Sequence, residues 1–157
     1  MEDKDLTSFC GLWCNDCIPA NERLYALTAE LFDLLNEIGF KNYADFKWNK
    51  VPEFKDYDKF ISVLNAFEKL HCYNHCRKGP FSEAGCAPSC EIRVCVTEKG
   101  YQGCWECDSY ALCEHIKRLE RFHPEIIHNL QMINKYDIDS WKIFRGRHYN
   151  WSKERTE

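Results

Sequence analysis

Eleven cysteines stand in this 157-residue chain, in three runs. They are Cys10, Cys14 and Cys17; Cys72, Cys76, Cys86 and Cys90; and Cys95, Cys104, Cys107 and Cys113. None lies between Ile18 and His71. Short gaps within each run let one turn of backbone aim two thiolates at a single point, the arrangement a soft metal ion requires. An odd count excludes complete intramolecular pairing. The first five residues lack the basic-then-apolar pattern of a signal peptide. The expected compartment is therefore a reducing cytoplasm, where dense cysteine points to metal or redox chemistry and not to disulfides.

Each run suggests its own ligand set. Cys104-Trp-Glu-Cys107 is a two-residue knuckle, followed at once by an expected helix containing Cys113. A helix N-terminus offers exposed N–H groups and partial positive charge to nearby thiolates. With Cys95 these residues complete four sulfur ligands, the closed tetrahedral set of structural zinc. Cys72, Cys76, Cys86 and Cys90 could close a second such set alone. Short loops keep closure entropy low, so local sets are the default, with interleaved pairing left open. Cys10, Cys14 and Cys17 lack a fourth ligand. Either it comes from elsewhere or a metal position stays open. His71 and His75 bracket Cys72 four residues apart, so one could serve as that fourth ligand, although both read first as polar residues at a helix end; His115, His123, His128 and His148 are not read as ligands. Zn2+ is the expected ion and a [4Fe-4S] cluster the alternative, since both use thiolate cages.

Several chemistries are disfavoured. The C-x3-C-x2-C spacing of the first run matches the radical-SAM cluster motif, but Asp16 stands where that family carries an aromatic, and the chain is too short for its barrel. No βαβ unit surrounds Cys14-Asn-Asp-Cys17 or Cys104-Trp-Glu-Cys107, as a thioredoxin-type redox pair needs. No phosphate loop, metalloprotease helix or nucleophile elbow appears, so no catalytic residue is assigned. A net charge of −4 makes nucleic acid and anionic membranes poor partners. No apolar run reaches the length of a membrane span. The tail from Trp141 to Lys153 interleaves cations with aromatics, and reads as a helix docking Trp141 and Phe144 while its charges stay solvated. The expected function is a non-catalytic metal-binding module acting structurally or through an unidentified protein partner. The alternative is an iron–sulfur or labile-metal protein in redox, sensing or metal transfer.

The elements that must position these sulfurs read as helices. Asn21 is placed to cap a helix carrying Leu24, Leu27, Leu31, Leu34, Leu35 and Ile38, with Gly39 to end it. Residues 41–54 read as an aromatic packed loop. A second stripe from Asp56 through Phe60, Val63, Leu64, Phe67 and Leu70 leads to Cys72. These two helices are expected to be the platform for the sulfur sites. Turns dominate 72–107, with a short helix ending at Gly100 preferred over a strand. Further helices are expected from Asp108 or Ser109 through Phe122, from Pro124 through Ile127, Leu130 and Ile133, and from Asp137 through Phe144. The fold class is a mainly α single domain, 1–157, with an irregular cysteine-rich lobe and little or no β.

With those residues placed, the chain resembles the cysteine-rich prokaryotic family DUF3795, a domain of unknown function. The resemblance rests on Cys10-Gly-Leu-Trp-Cys14-Asn-Asp-Cys17, on Cys90-Glu-Ile-Arg-Val-Cys95-Val-Thr-Glu-Lys-Gly100, and on Cys104-Trp-Glu-Cys107 with Cys113. It covers roughly residues 8–117, leaving 118–157 as a C-terminal helical extension. Membership implies metal binding and no established activity, substrate or partner.

Overall fold

The computed structural model describes residues 2–79 and 89–152; Cys86 lies outside the described residues. Helices are α1 (Asp3–Leu6), α2 (Glu22–Glu37), α3 (Phe40–Lys47), α4 (Tyr57–Leu70), α5 (Glu91–Glu98), α6 (Glu114–Glu120) and α7 (Ile126–Tyr136). Short 3-10 turns occupy Cys14–Asp16, Ile18–Ala20, Pro52–Asp56, Cys104–Glu106, Tyr110–Leu112 and Trp141–Phe144. Among the described residues the β content is one isolated antiparallel bridge, Thr7 with Trp13. The mainly α reading holds. The chain forms two compact units, one of Met1–Ala20 with Cys72–Glu157 and one of Asn21–His71.

The Asn21–His71 unit follows local rules. Asn21 caps α2 as expected, its Oδ1 accepting the Leu24 N–H at 3.0 Å. Gly39 takes φ 63, a left-handed turn that glycine adopts without strain, and the chain reverses there. The expected loop over 41–54 is instead α3 followed by a 3-10 turn. Two interactions that a one-dimensional pattern hides favour the helix. Lys41 pairs with Asp45 one turn on at 2.8 Å, worth a few tenths of a kcal/mol. Phe40 also packs edge-on to Phe54 at 5.6 Å and beside Tyr57 at 5.5 Å. These aromatic contacts, together with Tyr25 on Phe67, make the interior of this unit.

The sulfur-bearing unit has its own core, and this corrects the expectation that α2 and α4 are its platform. Leu6, Leu12, Trp13, Ile92, Val96, Ile116, Ile126, Leu130, Ile133, Ile138 and Trp141 are buried together with Cys10 and Cys104. Its centre is α7, whose Ile126, Leu130 and Ile133 repeat at helical spacing. The reading of α5 as a helix ending at Gly100 is correct, with Gly100 at φ 67. The helix expected from Asp108 starts later. Cys113 has extended backbone, φ −71 and ψ 123, which separates the Tyr110–Leu112 turn from α6 and makes Cys113 its N-cap residue. The last helix is likewise shorter, a single 3-10 turn from Trp141.

Trp141 is the residue on which this unit closes. It is fully buried, lies edge-on to Trp13 at 6.2 Å, and donates its Nε1–H to Thr7 Oγ1 at 3.0 Å. Truncation removes a large aromatic volume and leaves a hydroxyl without its donor. Trp141→Ala is expected to cost about 3–5 kcal/mol in urea unfolding, read as a lower midpoint. A loss under about 1 kcal/mol would show that the C-terminal turn is not part of this core.

Candidate functional site

The first cysteine run sits on a tight loop. Ser8 N–H donates to Leu12 O at 2.9 Å, and Leu12 N–H returns to Ser8 Oγ at 2.8 Å. Gly11 turns the loop at φ 82 so closely against α7 that a Cβ there would lie 2.7 Å from Leu130 Cδ2. That explains the glycine of the C-G-L opening: the approach leaves no room for a side chain. Cys10 Sγ lies 3.1 Å from Ser8 Oγ and also receives the Leu12 N–H. A 3-10 turn then brings Cys17 N–H onto Cys14 O at 2.9 Å. The knuckle repeats this pattern, with Cys107 N–H on Cys104 O at 3.1 Å. Gly103 precedes it because a Cβ would run into the Trp105 ring. Cys104 N–H donates to Phe9 O at 2.8 Å, which ties the knuckle to the first loop.

Two groups of thiols result. Cys10, Cys14, Cys17, Cys72, Cys76 and Cys90 line one cavity of about 440 Å³. Cys104 lies within electrostatic reach of Cys95, Cys107 and Cys113. Cys10 reaches both groups, since Cys76, Cys90 and Cys104 all interact with it. The first and middle runs are thus interleaved on one cavity, where sequence spacing had favoured separate local sets.

Burial decides the charge state of Cys10, Cys14, Cys17 and Cys104. It pushes the Cys10 and Cys14 thiols up to about 12 and raises Cys17 and Cys104 as well. Protonated, they exert little mutual repulsion. Among the described residues no three His, Cys, Asp or Glu side chains are grouped so as to hold a metal ion. No disulfide joins any of the ten described cysteines. The donor chemistry nevertheless suits a soft cation, because six cysteines line the cavity wall and a bound cation would displace the thiol protons.

Other side chains at the cavity were not legible from spacing. His75 lines it, whereas His71 stacks on Tyr25 at 4.1 Å and lies 3.2 Å from Glu22. His123, His148 and Tyr149 also form part of the wall. Tyr149 is 132 residues from Cys17, yet its hydroxyl lies 3.5 Å from Cys17 Sγ and accepts the Ile18 N–H at 3.2 Å. Arg145 clamps Asp16 through two N–H···O contacts at 2.6 and 2.9 Å. The tail charges are therefore not simply solvated: Lys142 pairs with Asp3 at 2.8 Å and Arg147 with Glu125 at 2.7 Å. Phe144, read as docking on the core, instead stacks on Tyr136 at 3.8 Å and is 39% exposed. No sequence signal near Cys17 announced this strap.

His148 gives the region a pH dependence. Burial first, then the nearby His123 imidazole, pulls its pKa down to about 4, against an ordinary 6.5. Above pH 6.5 the ring is neutral folded or unfolded, and no penalty arises. As pH falls from 6.5 towards 4 the unfolded chain takes up the proton first, so stability drops by about 3 kcal/mol and then levels. The slope is expected in urea unfolding across this range and should flatten in His148→Gln. A wild-type slope retained in that variant would assign it to another group.

Residues 6–118 match the model of the family described as protein of unknown function DUF3795. The match ends before Arg145 and Tyr149, so the strap that holds the Cys14–Cys17 turn lies beyond it. No curated protein and no solved structure matches the chain. Among the described residues no helix is long and apolar enough to cross a membrane. With its cysteine runs on a helical scaffold and the match spanning most of its length, the chain belongs to the DUF3795 family.

Proposed function

We propose that this protein is a non-catalytic metal-binding module that holds zinc through thiolates and presents its surface to a protein partner in a reducing cytoplasm. The observation that carries the reading is the collection of all three cysteine runs into one compact unit. Ten buried or half-buried thiols in this one unit are more than a core needs for packing. Cys95, Cys104, Cys107 and Cys113 are the proposed zinc ligands. They offer four sulfurs, and zinc binds thiolate sulfur at about 2.3 Å in closed tetrahedra. Lys99, whose ammonium is favoured by Cys95 and Cys107, supplies positive potential for thiolate formation. Zinc here would act as a cross-link among α5, the knuckle and α6.

Elemental analysis of anaerobically purified protein tests this. Wild type is expected to carry at least about one zinc per chain, lowered by about one in Cys104→Ser/Cys107→Ser. Chelation should lower thermal stability by several kcal/mol. Metal-free wild type whose melting ignores both chelator and added zinc would contradict the proposal.

A further inference from the structure

We propose that the cavity shared by the first and middle cysteine runs takes a tetranuclear iron–sulfur cluster, ligated by Cys10, Cys14, Cys76 and Cys90. This deepens the metal-binding reading and rests on it. The cavity, about 440 Å³, is far larger than one ion needs. A single zinc ion draws its sulfurs to about 2.3 Å from one point, and so within roughly 4 Å of each other. Six thiols are spread over the wall of that cavity. A cubane places iron and sulfide between its thiolates, so it accepts ligands that are spread over a wall.

Neighbour relations select four of the six sulfurs. Cys10 interacts with Cys76 and Cys90, and Cys14 with Cys76, Cys17 and Cys10. Cys17 is engaged by Tyr149 and has Cys72 as its neighbour, while Cys72 Sγ–H donates to Asn74 O at 2.8 Å. Two of the four ligand sulfurs already receive backbone N–H groups, Cys10 from Leu12 and Cys14 from Cys76. Such bonds stabilise thiolates and tune cluster potentials. Counter-charge comes from Arg77. Its guanidinium is fixed by Thr7 O at 2.7 Å and Gln102 O at 2.8 Å, and interacts with Cys76, Cys14 and Cys10. Leu12, Ile92 and Leu119 give the cavity apolar wall that keeps water from a cluster.

Loading is written as ligand exchange from a preassembled cluster capped by small thiolates. Each of the four cysteine thiols binds one iron, and its proton leaves on the displaced thiolate as free thiol. No iron changes oxidation state, so no oxidant or reductant is required.

The test adds such a thiolate-capped [4Fe-4S] cluster to full-length protein under anaerobic conditions, removes unbound material, and measures iron, sulfide, zinc and visible absorption. Wild type, Cys17→Ser and Cys107→Ser are expected to retain about four iron and four sulfide per chain with a brown charge-transfer band. Cys76→Ser should lose them while keeping its zinc. Should Cys76→Ser lose its helical circular dichroism, Cys90→Ser decides in its place. Wild type that keeps zinc but retains no iron overturns the cluster and leaves the zinc reading standing. Iron retention that depends on Cys107 and not on Cys76 or Cys90 overturns the ligand assignment. Absence of both metals overturns the two readings together.

Discussion

The loop from Thr7 to Trp13 is held from every distant part of the sulfur-bearing unit, and the rest of that unit depends on it. Trp141 donates to the Thr7 hydroxyl, Arg77 to the Thr7 carbonyl, and Cys104 to the Phe9 carbonyl. Gly11 lets the loop lie on Leu130. Buried backbone needs partners for its N–H and C=O groups, and here the Thr7 carbonyl finds one 70 residues away in Arg77 and the Phe9 carbonyl one in the distant Cys104. Satisfying one short loop therefore recruits the middle run, the knuckle and the C-terminal turn to the same place. Thiols from three runs become neighbours as a consequence.

That constraint sets the electrostatics. Buried thiols without a cation are neutral, and the core tolerates them as small apolar groups. Deprotonating several of them together would be costly without positive charge alongside. Arg77, Lys99 and the backbone amides aimed at Cys10 and Cys14 offset part of that cost, and a bound metal would supply the remainder. The structure thus has the features of a thiol reservoir that a soft cation can organise.

Sequence reasoning succeeded where the controlling interaction is local. Asn21 and Gly39 mark the ends of α2 because a cap bond and a left-handed turn act within a few residues. The same holds for Gly100 after α5. It failed where partners are remote. The helix over Phe40–Lys47 draws on Phe54 and Tyr57. The first and middle runs line one cavity although a long stretch of chain separates Cys17 from Cys72, and the pairing of Arg145 with Asp16 spans 129 residues. Cysteine spacing reveals which residues carry sulfur chemistry, but it does not encode which runs meet, since loop length limits closure only weakly.

Amide hydrogen exchange on the purified protein, before and after metal chelation, probes the central claim most directly. If sulfur-bound metal organises the unit that contains the cysteines, chelation should speed exchange at Leu12, Cys104, Cys107 and along α5 and α6, while α2 and α4 keep their protection. Uniform protection before and after chelation, or a loss confined to α2 and α4, would contradict it.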